Sequence, residues 1–305
     1  MSVVTTDALV EDVHFTRAAM SAADIGHRAL ASNLSDIAAM GAKPVLATVA
    51  LGFPPETGEG WVRELYAGMT ALARASQTAI VGGDLVRSPV VSIAITVVGE
   101  VRTTNMKRRS GARAGDVLAL TGLLGASRAG LAIALERPDL AGLPEAAAAG
   151  SAWRRPVPRL AEGRWLGASR SVHAMMDTSD GLSTDLGRLA SASSVAACVD
   201  AIPVAPSASA VAAAVGADAE SYALDGGEDF ELLVAIERRA YGYLAERFEK
   251  RFRKPLVVLG RVEAGSGVRL DTGGGSRQLA MHGFDHFRPA GNPPPDSVTN
   301  AESRS

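Results

Sequence analysis

Acidic residues set beside glycine and hydroxyl residues recur along this chain in a pattern suited to divalent cations and phosphates. Thr5-Thr6-Asp7 closes a first strand, and Gly82-Gly83-Asp84 directly follows a strand at Thr78 to Val81. Asp177-Thr178-Ser179-Asp180-Gly181 lies between a strand and a helix, and Asp225-Gly226-Gly227-Glu228-Asp229 precedes a strand. Strand ends beside glycines are where α/β proteins place ligands. Magnesium prefers oxygen donors and shares them with substrate phosphates. Each segment alone is ordinary turn chemistry; together they read as a polyphosphate–metal site.

One carboxylate inside a helix strengthens that reading. Ala23 to Met40 is expected to be helical, ending at Gly41 with Pro44 just beyond. At about 100° per residue, Ile25, Ala29, Leu30, Leu34, Ile37 and Met40 define one apolar half of the cylinder. Asn33 falls in its middle and Asp36 between Ile25 and Ala29. A carboxylate turned toward the core must be paired or must bind a cation. Either Asn33 and Asp36 pair to cap a neighbouring loop, or Asp36 is a metal ligand. Thr121-Gly122-Leu123-Leu124-Gly125, opening a helix at Ser127, either cradles an anion with its amides or only caps that helix. Neither a Walker loop nor the protein-kinase catalytic-loop pattern occurs.

The elements that must hold these residues alternate between strand and helix. In the first half, Gly60 to Ala75 is a helix with Trp61, Leu65, Met69 and Leu72 at three-to-four spacing. Val90 to Val101 is a strand, apolar on both faces for most of its length and so expected to be covered on both, by helices and by a partner subunit. The second half is expected to hold strands at Val117 to Thr121, Val172 to Met176, Ala196 to Ile202, Phe230 to Ile236, Leu256 to Val262 and Val268 to Asp271. Its helices are Ser127 to Glu136, Leu182 to Ala192 and Arg238 to Phe252. Arg137 to Pro158 reads as a loop or short helices. The class is α/β or α+β, with an N-terminal domain over 1–108, a second over 109–288 and a disordered tail over 289–305.

Composition bounds the rest. The 305 residues are 47% hydrophobic and 21% charged, with formal charge −2, a globular balance without a nucleic-acid footprint. Lys107-Arg108-Arg109 is the densest basic spot and reads as a solvated turn. Cys198 is alone, so no internal disulfide forms. The nearly apolar run from Pro89 to Val98 is far short of the roughly 20 residues of a membrane helix. Asp7, Glu11 and Asp12 interrupt any secretory core. A soluble cytoplasmic protein is expected.

Taken in order, the segments resemble the thiamine-monophosphate kinase family, within the aminoimidazole-ribonucleotide synthetase-like superfamily. The resemblance runs from Thr5 to Phe287: TTDALVEDVHF (5–15), RALASNLSDIAAMGAKP (28–44), IVGGDLVRSP (80–89), RSGARAGD (109–116), TGLLGASRAGL (121–131), DTSDGLSTDL (177–186), ALDGGEDFEL (223–232) and GFDHF (283–287). It implies a two-domain fold whose N-terminal sheet domain forms a homodimer, with nucleotide bound between the domains. It implies an enzyme that passes a phosphoryl group from ATP to thiamine monophosphate with several Mg2+ ions, without a phospho-enzyme. By the same resemblance Thr6, Asp7, Asp36, Asp84, Asp177 and Asp180 hold magnesium, with Thr5 joining through an oxygen. Gly83, Asp84, Arg109 and Ser179 contact ATP, while His14, Glu228 and Phe284 contact thiamine monophosphate, Phe284 stacking on the vitamin.

The family pattern also carries an N-terminal Gly-Asp-Asp segment whose aspartate binds magnesium. This sequence begins after that point, so either its start lies further upstream or one ligand has been lost. Ala126 stands where relatives often carry an acidic residue. Two other readings follow: a sister ATP-dependent synthetase on the same metal cluster, and a non-catalytic homologue that binds nucleotide or pairs with a complete subunit.

Overall fold

A computed structural model describes residues 1–272 and 275–280, and their strands form two sheets. The first contains β1 (Ser2–Val10), β2 (Lys43–Phe53), β3 (Ala79–Arg87) and β4 (Ser92–Glu100), in the order β1-β4-β2-β3. β4 runs antiparallel to β1 and β2, and β3 adds in parallel at the edge. The second contains β5 (Val117–Leu120), β6 (Val172–Asp177), β7 (Ala196–Val199), β8 (Leu232–Ile236), β9 (Val257–Glu263), β10 (Gly267–Thr272) and β11 (Gly275–Gln278). Their order is β11-β10-β7-β9-β5-β8-β6, antiparallel throughout except for β10 with β7. The helices are α1 (Ala22–Ala39), α2 (Glu59–Ala75), α3 (Ala126–Leu131), α4 (Ala146–Arg154), α5 (Leu160–Gly167), α6 (Leu182–Ser193), α7 (Pro206–Val215), α8 (Ala219–Asp225) and α9 (Arg238–Phe252). No described helix is long and apolar enough to cross a membrane.

α1 is the element on which the two sheets meet. Ser21 caps it, its hydroxyl accepting the Asp24 amide at 3.2 Å, and Gly41 ends it at φ 68°. The expected single apolar half understates its burial, since 14 of its 18 residues are buried. Ile25, Leu30, Leu34 and Ile37 pack with the first sheet and α2, while Ala38 and Ala39 join the core of the second sheet. Glycines permit this crowding. A Cβ on Gly26 would stand 2.0 Å from the Leu65 carbonyl oxygen of α2, and one on Gly163 of α5 2.2 Å from that of Ala38. Gly26→Ala should therefore force α1 and α2 apart and cost about 2 kcal/mol or more. An unfolding midpoint equal to that of the parent chain would contradict this packing.

The first sheet covers one face only. On β4, Ile93, Ile95 and Val97 are buried against the helices, whereas Ser92, Ala94, Thr96 and Val98 are half-exposed. The expectation of cover on both faces is not met within one chain. Val4 (66% exposed) and Val86 (48%) add apolar surface to the outer side.

The structure adds β2, α5, α7, α8 and β11 to the elements expected from the sequence. The segment Arg137 to Pro158 forms a 3-10 turn at Pro138–Gly142 followed by α4. Both Phe284 with its GFDHF segment and the expected tail from 289 lie outside the described residues.

Candidate functional site

The acidic segments sort into two groups, and the sheet pairing decides which is which. Thr5-Thr6-Asp7 lies in the middle of β1 rather than at its end, so alternate side chains take opposite faces. Thr5 and Asp7 pair in register with Val97 and Ile95, the helix-covered side of β4. From there the Thr5 hydroxyl donates to Asp36 Oδ2 of α1 at 2.5 Å. One residue earlier on α1, the Ser35 hydroxyl donates to Asp177 Oδ2 at 2.5 Å, tying α1 to the end of β6. No Asn33–Asp36 pair forms, because the Asn33 amide donates to the Ala29 carbonyl at 3.1 Å.

These carboxylates crowd one another electrostatically. Burial raises the Asp36 carboxyl above the usual range, and Asp7 and Asp180 add to the rise against the opposing Thr5 hydrogen bond and Arg109 charge. Burial, with the charges of Asp36 and Asp180, pushes Asp177 up to about 7. Thr5, Asp7, Asp36, Asp177, Asp180 and Arg109 thus converge on one locality between the sheets. A concentration of like charge that raises carboxylate pKa values is characteristic of sites that expect a cation.

The loop after β6 is shaped by a residue that the sequence reading did not single out. Asp185, fully buried on the first turn of α6, accepts the amides of Ser179 at 2.9 Å and Asp180 at 3.2 Å. Burial, then the nearby Asp177 and Asp180, raises it to about 7. Gly181 turns the chain at φ 99°, and Asp180 meets Arg188. Asp185 was legible only as the last acid of DGLSTD, one turn into the helix.

Thr6 and Asp84 occupy the opposite side. Thr6 pairs in register with Thr96, whose hydroxyl donates to it at 3.2 Å on the outer face. Gly82-Gly83-Asp84 is part of β3, not a loop after it. A Cβ on Gly83 would stand 1.8 Å from the Val49 carbonyl oxygen, so β2 requires glycine there. Asp84 is exposed and pairs with Ala50, which also faces outward. β1 and β3 are the two edges of the sheet, three interstrand steps or about 14 Å apart. Within one chain, no ion with bonds of about 2.1 Å can touch both Asp84 and the inner cluster.

Of the residues expected at thiamine monophosphate, Glu228 lies beside the inner cluster and His14 follows β1. His14 Nδ1 accepts the Val10 amide at 3.1 Å just after β1. Glu228 sits in a left-handed turn, φ 56° after Gly227 at 67°, and its amide donates to the Ser179 carbonyl at 2.8 Å. That bond places Glu228 directly against the 177–181 loop. Its carboxylate pairs with Arg28 of α1.

Two basic or anionic expectations change. Asp229 itself fills the glycine-rich turn before α3, accepting the Gly125 amide at 2.7 Å and the Ser127 amide at 3.2 Å. This helix start is satisfied internally rather than free to cradle an anion. Burial raises the Asp229 carboxyl to about 7 against those two hydrogen bonds. Lys107 is buried, donating to the Ser169 carbonyl at 2.7 Å, so only its neighbours Arg108 and Arg109 form the exposed turn.

Among the described residues no three of His, Cys, Asp and Glu converge tightly enough to clasp an ion. Magnesium does not require such a cage: it keeps waters and uses one or two carboxylates plus substrate phosphates. The donor set here is all oxygen, and burial together with its like charges raises the Asp36 and Asp177 carboxyls. The residues fit that ion.

These shifts make stability depend on pH. Asp177, Asp185 and Asp229 titrate near 3.8 when unfolded and at about 7 when folded. The folded state binds their protons more tightly, so stability falls as pH rises from about 4 through about 7. His27, lowered by burial, acts in the opposite sense, but it is one group against three. In EDTA the unfolding midpoint should fall between pH 5 and pH 8, and magnesium should raise it more at pH 8. A midpoint independent of pH would contradict the crowding.

A family model described as AIR synthase related protein, N-terminal domain, matches residues 1–101. A thiamine-monophosphate kinase of Synechococcus elongatus is 35% identical over 93% of this chain and 86% of the relative. One of Bacillus subtilis is 32% identical over 94% and 88%. The solved structure of AaThiL complexed with AMPPCP and TMP is similar at TM-score 0.84 and 30% identity, covering 94% of this chain and 87% of that one.

Proposed function

The chain belongs to the thiamine-monophosphate kinase family, and from that premise we propose that it phosphorylates thiamine monophosphate with ATP to give thiamine diphosphate. One observation carries the reading. Thr5, Asp36 and Asp177 are linked through adjacent residues of one helix, and Glu228 is held against the same loop. Phosphate-binding oxygens and the substrate contact are therefore neighbours.

The reaction joins two anions, so positioning and charge compensation outweigh covalent catalysis. Asp7, Asp36, Asp177 and Asp180, with Thr5, would hold magnesium, which when bound neutralises phosphate charge. Arg109 offers a guanidinium fork to the ATP phosphates, and Ser179 lies in the loop that faces them. The bond from the γ-phosphorus to its bridging oxygen breaks, ADP leaves, and a phosphate oxygen of thiamine monophosphate forms the new bond. That oxygen is already ionised at neutral pH, so His14 serves as a contact and not as a base. Phe284 stacks on the vitamin in the same reading.

A homodimer belongs to this proposal. The outer face of the first sheet is half-exposed and partly apolar, which suits a second copy. Thr6 and Asp84 both lie on that face, so pairing is what lets Asp84 reach a magnesium ion held with residues of another chain. The protein acts in the cytoplasm.

ADP release with magnesium tests the proposal. ADP should form only when thiamine monophosphate is present, one for each thiamine diphosphate produced. ADP formation that ignores thiamine monophosphate and follows another acceptor would overturn it.

A further inference from the structure

Arg28 is the most deeply buried charged side chain of α1, 2% exposed, and the acidic site as described does not use it. A buried guanidinium must be compensated, because an isolated charge in the interior is costly. Among the described residues its one ion-pair partner is Glu228: Nη2 donates to Glu228 Oε2. Nη1 donates to the Trp153 carbonyl, and the guanidinium lies 6.0 Å from the Trp153 ring centroid. Nε has no hydrogen-bond partner among the described residues. The fork is thus spent on two elements, α4 and the 226–229 turn, while its stem belongs to a third.

Glu228 is held from both ends. Its backbone sits at φ 56° with the amide bonded to Ser179, a conformation that persists only where surroundings enforce it. Arg28 fixes one carboxylate oxygen, yet the side chain stays 37% exposed. The other oxygen has no hydrogen-bond partner among the described residues and is the one able to meet a ligand.

We infer that Arg28 is the positioning residue for the Glu228 carboxylate, presenting its free oxygen to the substrate from a fixed place. The inference rests on the assignment of Glu228 to thiamine monophosphate. α1 then carries both ends of the site. Asp36 lies eight residues beyond Arg28, about 12 Å along the helix, so one rod spaces the substrate carboxylate from the phosphate cluster. A lysine could not replace the arginine fully, because a single ammonium lacks the fork that reaches Trp153 and Glu228 together.

Steady-state kinetics of Arg28→Met, Glu228→Gln and the double variant, with hydrogen exchange at the 226–230 turn, test it. Each single change should raise KM for thiamine monophosphate about tenfold or more and leave KM for ATP unchanged. The double should be no worse than the worse single, because Arg28 acts through Glu228. Additive effects, or equal effects on both KM values, would overturn the inference. Arg28→Lys keeps the buried charge should the Met variant not fold, and it should show the same KM split at smaller size. Exchange of the Glu228 amide should quicken in Arg28→Lys and Arg28→Met while α2 and the second sheet keep their protection. Unchanged exchange at that amide would sink the positioning role whether or not the chain turns over. A parent chain that ignores thiamine monophosphate would instead overturn the functional reading, leaving the exchange result to decide the role of Arg28.

Discussion

Asp177→Asn should lower turnover of ATP and thiamine monophosphate by about 10²- to 10³-fold and raise the unfolding midpoint at pH 8. The two effects have one cause. Asp177 is buried at the end of β6, and burial with the charges of Asp36 and Asp180 raises it to about 7. At pH 8 without a cation, its ionised form is therefore a strained state of the fold. Asparagine has the same shape and can still accept the Ser35 hydroxyl, so packing is kept while the repulsion is lost. Relief of about 1 kcal/mol raises the midpoint of a chain of this size by roughly 1.5–2 °C. What disappears is the anionic donor, and an amide is a far weaker partner for magnesium. Kinetics and a thermal melt of one preparation read both numbers. A variant that is slower and less stable would mean that Asp177 is a structural carboxylate, not a stored binding charge.

The second large effect concerns the other face of the sheet. Asp84→Asn should reduce turnover by about 10²-fold or more with an unchanged melt, since Asp84 is exposed and, among the described residues, its carboxylate accepts only the next amide, at 2.9 Å. Asp84 and the inner cluster lie on opposite edges and opposite faces of one sheet, so in the proposed homodimer the partners of Asp84 would come from a second copy. Mixing Asp84→Asn chains with Asp177→Asn chains, each nearly inactive alone, tests this directly. Mixed dimers should regain activity well above either parent, one of their two sites being intact. Mixtures that stay as inactive as their components would show that Asp84 serves its own chain or none.

The sequence carried the inner site further than the elements that hold it. Asp36 was legible because a 3.6-residue projection puts a carboxylate among Ile25 and Ala29, and burial of that helix leaves no bland place for it. The same projection sets Arg28 on the half of the cylinder opposite the apolar stripe, and its partner Glu228 is 200 residues away, so no local pattern marks the pair. Thr6 and Asp84 show a different limit. Whether a residue in TTD or GGD joins the cluster depends on strand alternation and on how far each strand extends. β1 continues to Val10 and β3 to Arg87, well past the expected ends. Gly82 and Gly83 read as turn residues because glycine marks turns; here Gly83 marks the close approach of β2 instead. β2 itself, KPVLATVALGF, is a largely apolar run between Gly41 and Pro54-Pro55, which periodicity alone cannot separate from other buried elements. The glycine-rich turn at 121–125 looked able to take an anion because its occupant, Asp229, arrives from a distant segment.

The central claim is that separated aspartates meet to gather cations between two phosphate-bearing substrates. Calorimetric titration of AMPPCP in EDTA and in excess magnesium tests it most directly, comparing the parent chain with the Asp36→Asn, Asp177→Asn double variant. Magnesium should tighten binding to the parent by about tenfold or more, about 1.4 kcal/mol, and give the double variant little or none of that gain. Equal gains in both proteins would contradict the account, because the nucleotide would then be carrying its metal without help from these carboxylates.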